Sequence, residues 1–415
     1  MSKVLIVGGG AAGFMAAYSA ATMGAEVTVL ERNPRPLRKV MITGKGRCNV
    51  TNDTDLNGLV NAVTGNGRFL YSAFSNFTSQ DTKNFFENHG VPLKTERGNR
   101  VFPESDKAVD IVDALVRAVK EIGVKIIQER VTELVTSGKK CGGVKTESGN
   151  VYFADSVIVA TGGLSYPLTG STGDGYELAK SVGHTVTELR PSLVAVNALE
   201  GWCSDAQGLS LKNIKVSVFK DGNQKPIYDD FGELMFTHYG LSGPVILSAS
   251  AYMPDPEKHE YKVRIDLKPA LSPEKLDERI LRDFEKFKNK DFINSLGELL
   301  PRKLIPVVVK LSKIEPSCKI NQITREQRNK LVEILKGLEL TVTGFRPIDE
   351  AIITKGGITL SEVNPKTMES KLVKGLYFAG EVLDVDAFTG GFNLQIAFST
   401  GYAAGESVAV SGFDL

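Results

Sequence analysis

Cysteine and histidine are scarce in this chain of 415 residues. The chain has four cysteines, none of them in a CxxC pair, at Cys48, Cys141, Cys203 and Cys318. The four histidines also lack the close spacing of metal ligands. A structural zinc site needs clustered thiolate or imidazole ligands, and a disulfide framework needs paired cysteines in an oxidising compartment. The sequence therefore predicts no metal site, no disulfide framework and a reducing, cytoplasmic location.

An excess of charge of either sign is also lacking, since 50 Lys and Arg residues stand against 49 Asp and Glu residues. Without a net positive charge, the chain has no global attraction for the phosphate backbone of a nucleic acid. We therefore expect a small-molecule substrate and no nucleic-acid partner. The composition leaves the oligomeric state open.

Long hydrophobic runs are confined to the N-terminus, where residues 4–25 are mostly apolar. Five glycines interrupt this stretch in a pattern that suits a nucleotide site, namely Gly8, Gly9, Gly10, Gly13 and Gly24. No other segment approaches the roughly 20 apolar residues that a membrane span needs. We therefore expect no membrane partner, and the length of the chain predicts two or three domains.

The first 31 residues carry a nucleotide-binding pattern. An apolar strand, Lys3 to Val7, leads into the sequence GGGAAG at 8–13, which matches G-x-G-x-x-G. An alanine-rich helix is predicted from Ala11 to about Met23, with Gly24 as its C-cap. A second strand is predicted from Glu26 to Leu30. This order of strand, turn, helix and strand is typical of a dinucleotide-binding unit.

Each glycine of the pattern has a physical task, and so does the acid that follows. Gly8 permits the tight turn, Gly10 lets a pyrophosphate approach the backbone, and Gly13 lets helix and strand pack closely. Free N–H groups at the helix N-terminus attract the phosphates. Glu31 is placed to accept hydrogen bonds from ribose hydroxyls, and its charge would repel the 2′-phosphate of NADP.

A basic segment follows, from Arg32 to Lys39 and from Gly44 to Asn52. It is punctuated by glycine and lacks helical periodicity, so we predict a loop. Its donors suit a long cofactor that lies across it, and a solvated basic loop is the alternative. Cys48 has no second cysteine nearby in sequence, so we predict that it packs or contacts a flavin rather than acting in redox catalysis.

Two further strand endings resemble each other. Residues 157–163 form an apolar strand that ends in Ala-Thr-Gly-Gly, and residues 375–381 end in Phe-Ala-Gly-Glu. An alanine-rich helix is predicted after the second of these, to about Ala404. FAD is longer than one βαβ unit can hold, so these additional strands indicate FAD rather than NAD. The helix N-terminus near Asn393 and Leu394 would stabilise negative charge on a reduced flavin.

Nucleotide-binding patterns are absent between residues 184 and 352. Strand-like runs such as Lys215–Phe219 and Tyr261–Leu267 predict a small β-domain. Helical spacing over 272–338 predicts a helical subdomain beside it. This insertion contains no second G-x-G-x-x-G, so a nicotinamide donor would dock transiently.

Together these patterns predict an α/β fold with a Rossmann-like FAD-binding domain built from both chain ends. The predicted parts are 1–190 and 353–415 for the FAD-binding domain, 191–271 and 339–352 for an inserted β-rich domain, and 272–338 for a nested helical subdomain. We expect the insertion to cover the flavin and to shape a substrate pocket.

Six motifs carry a family resemblance. They are GGGAAG at 8–13, GKGRCNVTN at 44–52, VIVATGGLSYPLTGSTGDGY at 157–176, FTHYGLSGP at 236–244, TKGGITL at 354–360 and GLYFAGEVLDVDAFTGGFNLQ at 375–395. The chain resembles, over nearly its whole length, the BaiN-like and aminoacetone-oxidase-like group of flavoproteins, relatives of the glutathione-reductase FAD fold. The resemblance implies FAD contacts at Gly8, Gly10, Ala12, Gly13, Glu31, Arg32, Lys45, Arg47, Cys48, Val131, Thr161, Gly162, Gly380, Glu381, Phe392, Asn393 and Leu394.

The resemblance also implies hydride transfer at flavin N5. BaiN-like members are associated with reduction of unsaturated keto-steroid bile acid intermediates, and other members with oxidation of aminoacetone by oxygen. We expect a reductase that passes hydride from NAD(P)H through flavin N5 to an activated C=C bond of a small, steroid-like enone. An FAD-dependent amine oxidase is the first alternative. A non-catalytic redox sensor or an RNA-associated flavoprotein is the second.

A reductase of this kind needs a proton donor close to its substrate. Tyr166, His238 and Tyr239 lie inside the family motifs and are the catalytic candidates, although each suits a structural role as well. His184 follows a predicted helix end, where a cation would complement the helix dipole, and we predict a structural role for it.

Overall fold

The computed structural model describes residues 1–287 and 289–410, which fall into two compact units. One unit comprises Met1–Ser192 together with the chain from Ile348 onward, and the other comprises Leu193–Pro347. The insertion thus spans 193–347 rather than the predicted 191–352. The difference arises because Arg190–Ser192 pairs with Ile353–Lys355 as an antiparallel ribbon within the first unit.

The strands are β1 Lys3–Val7, β2 Glu26–Glu31, β3 Thr51–Asn52, β4 Leu93–Glu96, β5 Arg100–Pro103, β6 Lys125–Gln128, β7 Val131–Ser137, β8 Lys140–Thr146, β9 Val151–Phe153, β10 Ser156–Val159, β11 Arg190–Ser192, β12 Val196–Ala198, β13 Ser210–Lys220, β14 Tyr228–Phe236, β15 Gly240–Ser242, β16 Tyr261–Asp266, β17 Leu338–Phe345, β18 Ile353–Lys355 and β19 Leu376–Phe378. The α-helices are α1 Ala11–Thr22, α2 Arg38–Ile42, α3 Leu56–Asn61, α4 Tyr71–Asn76, α5 Ser79–Asn88, α6 Ala108–Glu121, α7 Asp174–Ser181, α8 Pro244–Ser250, α9 Pro273–Lys286, α10 Phe292–Ser295, α11 Ile305–Ser312, α12 Arg325–Lys336 and α13 Phe392–Val410.

A five-stranded parallel sheet with the order β19-β10-β1-β2-β6 forms the centre of the first unit. Strands β1, β10 and β19 are buried almost throughout, as expected for continuous apolar runs in a sheet covered on both faces. The N-terminal β1 and the C-terminal β19 both pair with β10. The predicted α/β fold, with a Rossmann-like domain built from both chain ends, is therefore confirmed.

Two helices rich in small residues, α1 and α13, pack closely in this unit. A Cβ atom at Gly401 would lie 2.3 Å from the carbonyl oxygen of Ala12, and one at Gly405 would lie 2.3 Å from that of Ala16. Only glycine allows the two backbones to approach so closely. The helix α13 continues to Val410, past the predicted end at Ala404.

The basic segment predicted to be a loop contains the short helix α2. Leu37, just before it, has a left-handed backbone (φ 60°), and its side chain is buried. The N–H of Leu37 donates to the carbonyl oxygen of Gly9 at 2.8 Å. Burial of one leucine and this hydrogen bond fix the segment against the glycine-rich turn. Sequence periodicity could not reveal a helix of five residues.

The second unit contains a closed barrel of six strands, ordered β12-β15-β14-β13-β16-β17. Alternate residues of β16 point into its core, including Tyr261, Val263 and Ile265. The helices α9 to α12 occupy the predicted helical stretch. Ser272 caps α9 by accepting a hydrogen bond from the N–H of Lys275. Their apolar faces share one buried cluster with the barrel, so this unit has its own hydrophobic core.

Candidate functional site

The turn between β1 and α1 has the geometry of a phosphate-binding turn. Gly8 adopts a left-handed backbone (φ 104°), and a Cβ atom at Gly13 would lie 2.0 Å from the carbonyl oxygen of Gly8. Gly10 precedes the helix without a side-chain cap, and a Cβ atom on it would meet no atom within 4 Å. The space beside Gly10 at the N-terminus of α1 is therefore open, and a helix N-terminus favours a phosphate there. The neighbouring Ala12 lies buried in the first turn of this helix.

Glu31 at the end of β2 stabilises this turn. One carboxylate oxygen accepts a hydrogen bond from the N–H of Gly9 at 2.7 Å. The other oxygen accepts from the backbone N–H and the side-chain amide of Asn33, at 2.7 and 2.8 Å. The side chain is buried, so the acid is held in one orientation. Its predicted contact with ribose hydroxyls stays a prediction.

A cavity of about 520 Å³ lies beside the ends of β2 and β6. Its lining comprises Arg32, Gln128, Glu129, Arg130, Glu147 and Ser148. Arg32 donates to the hydroxyl of Thr172 at 2.5 Å, and Arg130 donates to Asp174 at 2.9 and 3.1 Å. Val131 follows in sequence and is buried at the start of β7. The cavity adjoins the strand that ends in Glu31, so it suits the adenosine end of a dinucleotide.

Arg47 connects the segment 44–52 to side chains in and just after the β4–β5 hairpin. The guanidinium of Arg47 forms ion pairs with Glu96 and Asp106 and lies 4.1 Å from the ring centre of Phe102. Lys45 is exposed and has a left-handed backbone. Two carboxylates already pair with Arg47, and its FAD contact stays a prediction.

Cys48 is fully buried, and burial raises the pKa of its thiol to about 12. Only the thiolate is a strong nucleophile, so this thiol is inert at neutral pH. Burial thus favours the predicted packing or flavin contact over redox catalysis, and contact with a flavin stays a prediction.

A polar network joins the loops at the carboxyl ends of β10 and β19. The ammonium group of Lys39 donates to Ser165 at 2.7 Å and to Glu381 at 2.6 Å. The other carboxylate oxygen of Glu381 accepts from the Ser165 hydroxyl at 2.9 Å and from the Thr354 N–H at 2.8 Å. The Thr354 hydroxyl accepts from the N–H groups of Leu164 and Ser165.

This network adds three residues that the sequence analysis missed. Ser165 and Thr354 lie inside quoted motifs, which could have marked them. Lys39 is one of several cations in a basic run, and nothing in the sequence distinguishes it. Only the folded chain shows that its ammonium group reaches Glu381.

Two buried polar atoms, one directly after β10 and one in the segment 44–52, lack a hydrogen-bond partner among the described residues. They are the hydroxyl oxygen of Thr161 and the side-chain oxygen of Asn49. Thr161 directly follows the end of β10 and precedes Gly162, which has a left-handed backbone (φ 75°). Buried polar atoms are nearly always hydrogen-bonded, so these two fit contact with a bound group. Asn49 was not among the predicted contacts.

A side chain in the first turn of α13 holds the chain segment that precedes the helix. The amide oxygen of Asn393 accepts from the N–H of Ala387 at 2.9 Å, and its amide nitrogen donates to the Ala387 carbonyl at 2.8 Å. Its side chain therefore fixes the preceding turn. The backbones of Phe392 and Leu394 complete the first turn of the helix. Gly380, after β19, donates its N–H to the hydroxyl of Thr400 at 2.9 Å.

The three catalytic candidates fall into different units. Tyr166 lies in the first unit with a left-handed backbone (φ 53°), and partial burial raises the pKa of its phenol. His238 and Tyr239 occupy the turn between β14 and β15 in the second unit, with ring centres 4.9 Å apart. The guanidinium of Arg346 lies 4.5 Å from the Tyr239 ring centre. The structure thus brings His238 and Tyr239 together.

His184 has a structural role for a reason that differs from the predicted one. Its side chain is fully buried, lies 3.0 Å from a carboxylate oxygen of Glu362 and 2.7 Å from the hydroxyl of Ser370, and packs edge-on to Phe378. Burial lowers its pKa. The expectation of a cation at a helix end is therefore wrong, because desolvation favours the neutral ring.

A parallel sheet with a G-x-G-x-x-G turn, an acid at the end of the second strand and a long C-terminal helix defines a class of Rossmann-type FAD-dependent oxidoreductases. The residues of this chain fit FAD, with an open turn at Gly10, a cavity beyond Glu31 and an unpartnered buried hydroxyl, that of Thr161, directly after β10. The chain belongs to the family described as HI0933-like protein Rossmann domain, whose model matches residues 2–407. It is therefore a flavoprotein of the oxidoreductase class.

Two relatives match the chain over almost its full length. The 3-dehydro-bile acid delta(4,6)-reductase of Clostridium scindens is 33% identical over 417 residues, covering 99% of each chain. The ribosomal RNA dihydrouridine synthase of Haemophilus influenzae is 30% identical over 411 residues, covering 98% of each chain. The structure of a 3-ketosteroid-delta4-(5alpha)-dehydrogenase from Rhodococcus jostii superposes with a TM-score of 0.54 at 15% identity, over 98% of this chain and 97% of that one. This structural likeness concerns the fold.

Two features are not found in the part of the chain that the structure describes. None of its helices is both long enough and apolar enough to cross a membrane. No group of three or more His, Cys, Asp or Glu side chains in it could hold a metal ion.

Proposed function

We propose that this protein reduces a C=C bond conjugated to a carbonyl group, with NAD(P)H as a transient electron donor. The observation that carries the proposal is the shared chemistry of two relatives that match over almost their full length. A delta(4,6)-reductase of a 3-dehydro-bile acid saturates bonds conjugated to a ketone. A dihydrouridine synthase saturates the bond of uracil that is conjugated to a ring carbonyl. The substrates differ in every other respect, so the reaction is the common element.

Reduction of such a bond adds hydride to the carbon remote from the carbonyl and a proton to the carbon beside it. A bound flavin supplies the hydride from N5. The chain supplies the turn at Gly10, the acid Glu31 and a proton donor. Tyr166 is the candidate donor in the first unit, because a phenol carries its proton at neutral pH and Tyr166 follows Ser165 in the loop after β10. The donor NAD(P)H has no second G-x-G-x-x-G to bind, which supports transient docking.

We favour a small enone as the substrate, because the net charge of +1 provides no general attraction for RNA. A uridine in RNA is the second candidate. The relative from Haemophilus influenzae supports it, and so does a local feature of the second unit. The stretch 299–314 contains no acidic residue, and four exposed cations lie in it, namely Arg302, Lys303, Lys310 and Lys313.

The first experiment is an anaerobic stopped-flow measurement on the FAD-loaded protein. Mixing with NADH or NADPH should bleach the flavin absorbance rapidly. The reduced protein is then mixed, in separate runs, with a 3-keto-4-ene steroid, with a uridine-containing ribosomal RNA transcript and with air. Reoxidation by the steroid faster than by the transcript or by air supports the proposal.

Two outcomes would contradict parts of this proposal. If only the transcript reoxidises the flavin, the proposed reaction holds but its substrate is a uridine in RNA instead of an enone. A fall in that rate when Lys310 and Lys313 are both changed to Glu would then locate the RNA contact. Bleaching by aminoacetone but by neither nicotinamide would make the protein an amine oxidase.

A further inference from the structure

Lys39 has bonding capacity that its protein partners do not use. An ammonium group carries three N–H donors, and within residues 1–287 and 289–410 Lys39 donates to Ser165 and Glu381 alone. Its side chain remains 24% exposed, whereas Ser165 is fully buried. One N–H donor of the ammonium group, whose charge is paired with Glu381, is therefore left for a ligand in the space around this side chain.

The strand order shows which part of a long cofactor would occupy that space. In the order β19-β10-β1-β2-β6, Glu31 lies at the end of β2, on one side of the glycine-rich turn after β1. The partners of Lys39 follow β10 and β19, on the other side of that turn. A dinucleotide with its adenosine at Glu31 and its pyrophosphate at the turn must extend toward β10. Its far end is the flavin.

We propose that Lys39 is a cofactor-binding residue whose free N–H donor and positive charge act on the flavin ring. Reduction adds negative charge to that ring, and a nearby cation stabilises added negative charge. Lys39 therefore favours the reduced over the oxidised cofactor. The Glu381 carboxylate and the Ser165 hydroxyl hold the ammonium group in place. The proposal rests on FAD binding and is independent of which substrate is reduced.

The test measures the reduction potential and the dissociation constant of FAD in four proteins. Lys39→Met removes the charge at similar side-chain length, and Lys39→Arg retains it. Lys125→Met is the matched control, since Lys125 pairs with Glu26 at 2.9 Å at the opposite, amino-terminal edge of the same sheet. We expect Lys39→Met to weaken binding of reduced relative to oxidised FAD about tenfold, which lowers a two-electron potential by about 30 mV. The arginine variant and the control should match the wild type.

Equal weakening of both redox forms by Lys39→Met, with an unchanged potential, would overturn the proposal, because Lys39 would then hold another part of FAD. Lys39→Met leaves the Glu381 carboxylate without its cation and could for that reason fail to fold. In that case the double variant Lys39→Met with Glu381→Gln replaces it. A potential below that of the wild type in the double variant supports the proposal. A wild-type potential there would show that Lys39 only neutralises Glu381. Neither measurement needs nicotinamide or substrate. Failure of the Lys39 proposal can therefore be distinguished from failure of the reductase proposal.

Discussion

The carboxylate of Glu31 accepts a hydrogen bond from the backbone N–H of Gly9 at 2.7 Å. This contact links the end of the second strand to the turn that leads into the first helix. The acid therefore fixes the turn, and its contact with a nucleotide ribose stays a prediction. Its two oxygens bond backbone N–H groups on either side, at Gly9 and Asn33.

Replacing Glu31 by Ala should weaken FAD binding about ten- to a hundredfold. Hydrogen bonds to a charged group contribute about 1.5–3 kcal/mol, and each 1.4 kcal/mol is a factor of ten in affinity. The measurement is a titration of apoprotein with FAD, followed by flavin fluorescence. Glu26→Ala is the control, since Glu26 begins the same strand and its side chain is 45% exposed. Equal affinities for both variants would show that Glu31 is not part of the site.

Alanine at Gly10 should weaken FAD binding, whereas alanine at Gly13 should destabilise the apoprotein. A methyl group at Gly10 meets open space, so the apoprotein should keep its stability while FAD affinity falls at least about tenfold. A methyl group at Gly13 would lie 2.0 Å from the Gly8 carbonyl and should cost about 1–3 kcal/mol of stability. Thermal melting of both apoproteins and FAD titration separate the effects. Wild-type affinity in Gly10→Ala would place the pyrophosphate elsewhere.

Tyr166→Phe tests the proton donor. Removing a general acid typically slows a reaction about 10²- to 10⁴-fold. We expect slower reoxidation of the reduced flavin by enone and an unchanged rate of flavin reduction by nicotinamide. Stopped-flow absorbance measures the two half-reactions separately. His238→Gln and Tyr239→Phe are the comparison variants, and a comparable loss in either one, with normal rates for Tyr166→Phe, would move the donor to the second unit.

His184 predicts a defined dependence of stability on pH. Burial lowers the pKa of the ring below its ordinary value of about 6.5, so the folded state favours the neutral ring. The neutral, buried ring therefore stabilises the fold above about pH 6.5. As the pH falls below that value, the unfolded chain binds a proton first, and this stabilisation is lost progressively. His184→Gln should be less stable than the wild type by about 1–3 kcal/mol at pH 8, because Ser370 and Glu362 lose a partner.

The stability difference between the wild type and His184→Gln should shrink as the pH falls from 7 to 5. Urea unfolding at several pH values provides this comparison. A difference that stays constant over the range would mean that His184 does not titrate differently in the folded and unfolded states. A difference that grows toward low pH would reverse the sign and indicate a charged histidine in the fold.

The sequence alone was sufficient for the nucleotide-binding unit and the fold class. The strand Lys3–Val7 and the start of α1 at Ala11 were predicted as observed. Such elements are encoded in consecutive residues, as an apolar run, a glycine turn or an N-cap. The barrel strand predicted from Tyr261 to Leu267 is also close to the observed Tyr261–Asp266, and only its last residue differs. Local pattern and local structure agree there because each element buries its own apolar face.

Tertiary structure alone decided which charged side chains meet. Lys39 contacts residues 126 and 342 positions away in sequence, and the order of the parallel strands determines that meeting. Arg47 is neutralised by the β4–β5 hairpin, and His184 is neutral because it is buried against Phe378. Local sequence shows the type of a side chain, whereas its desolvation and its partner depend on distant segments packed around it. For that reason the sequence determined the class of cofactor, and the fold determined which side chains can contact it.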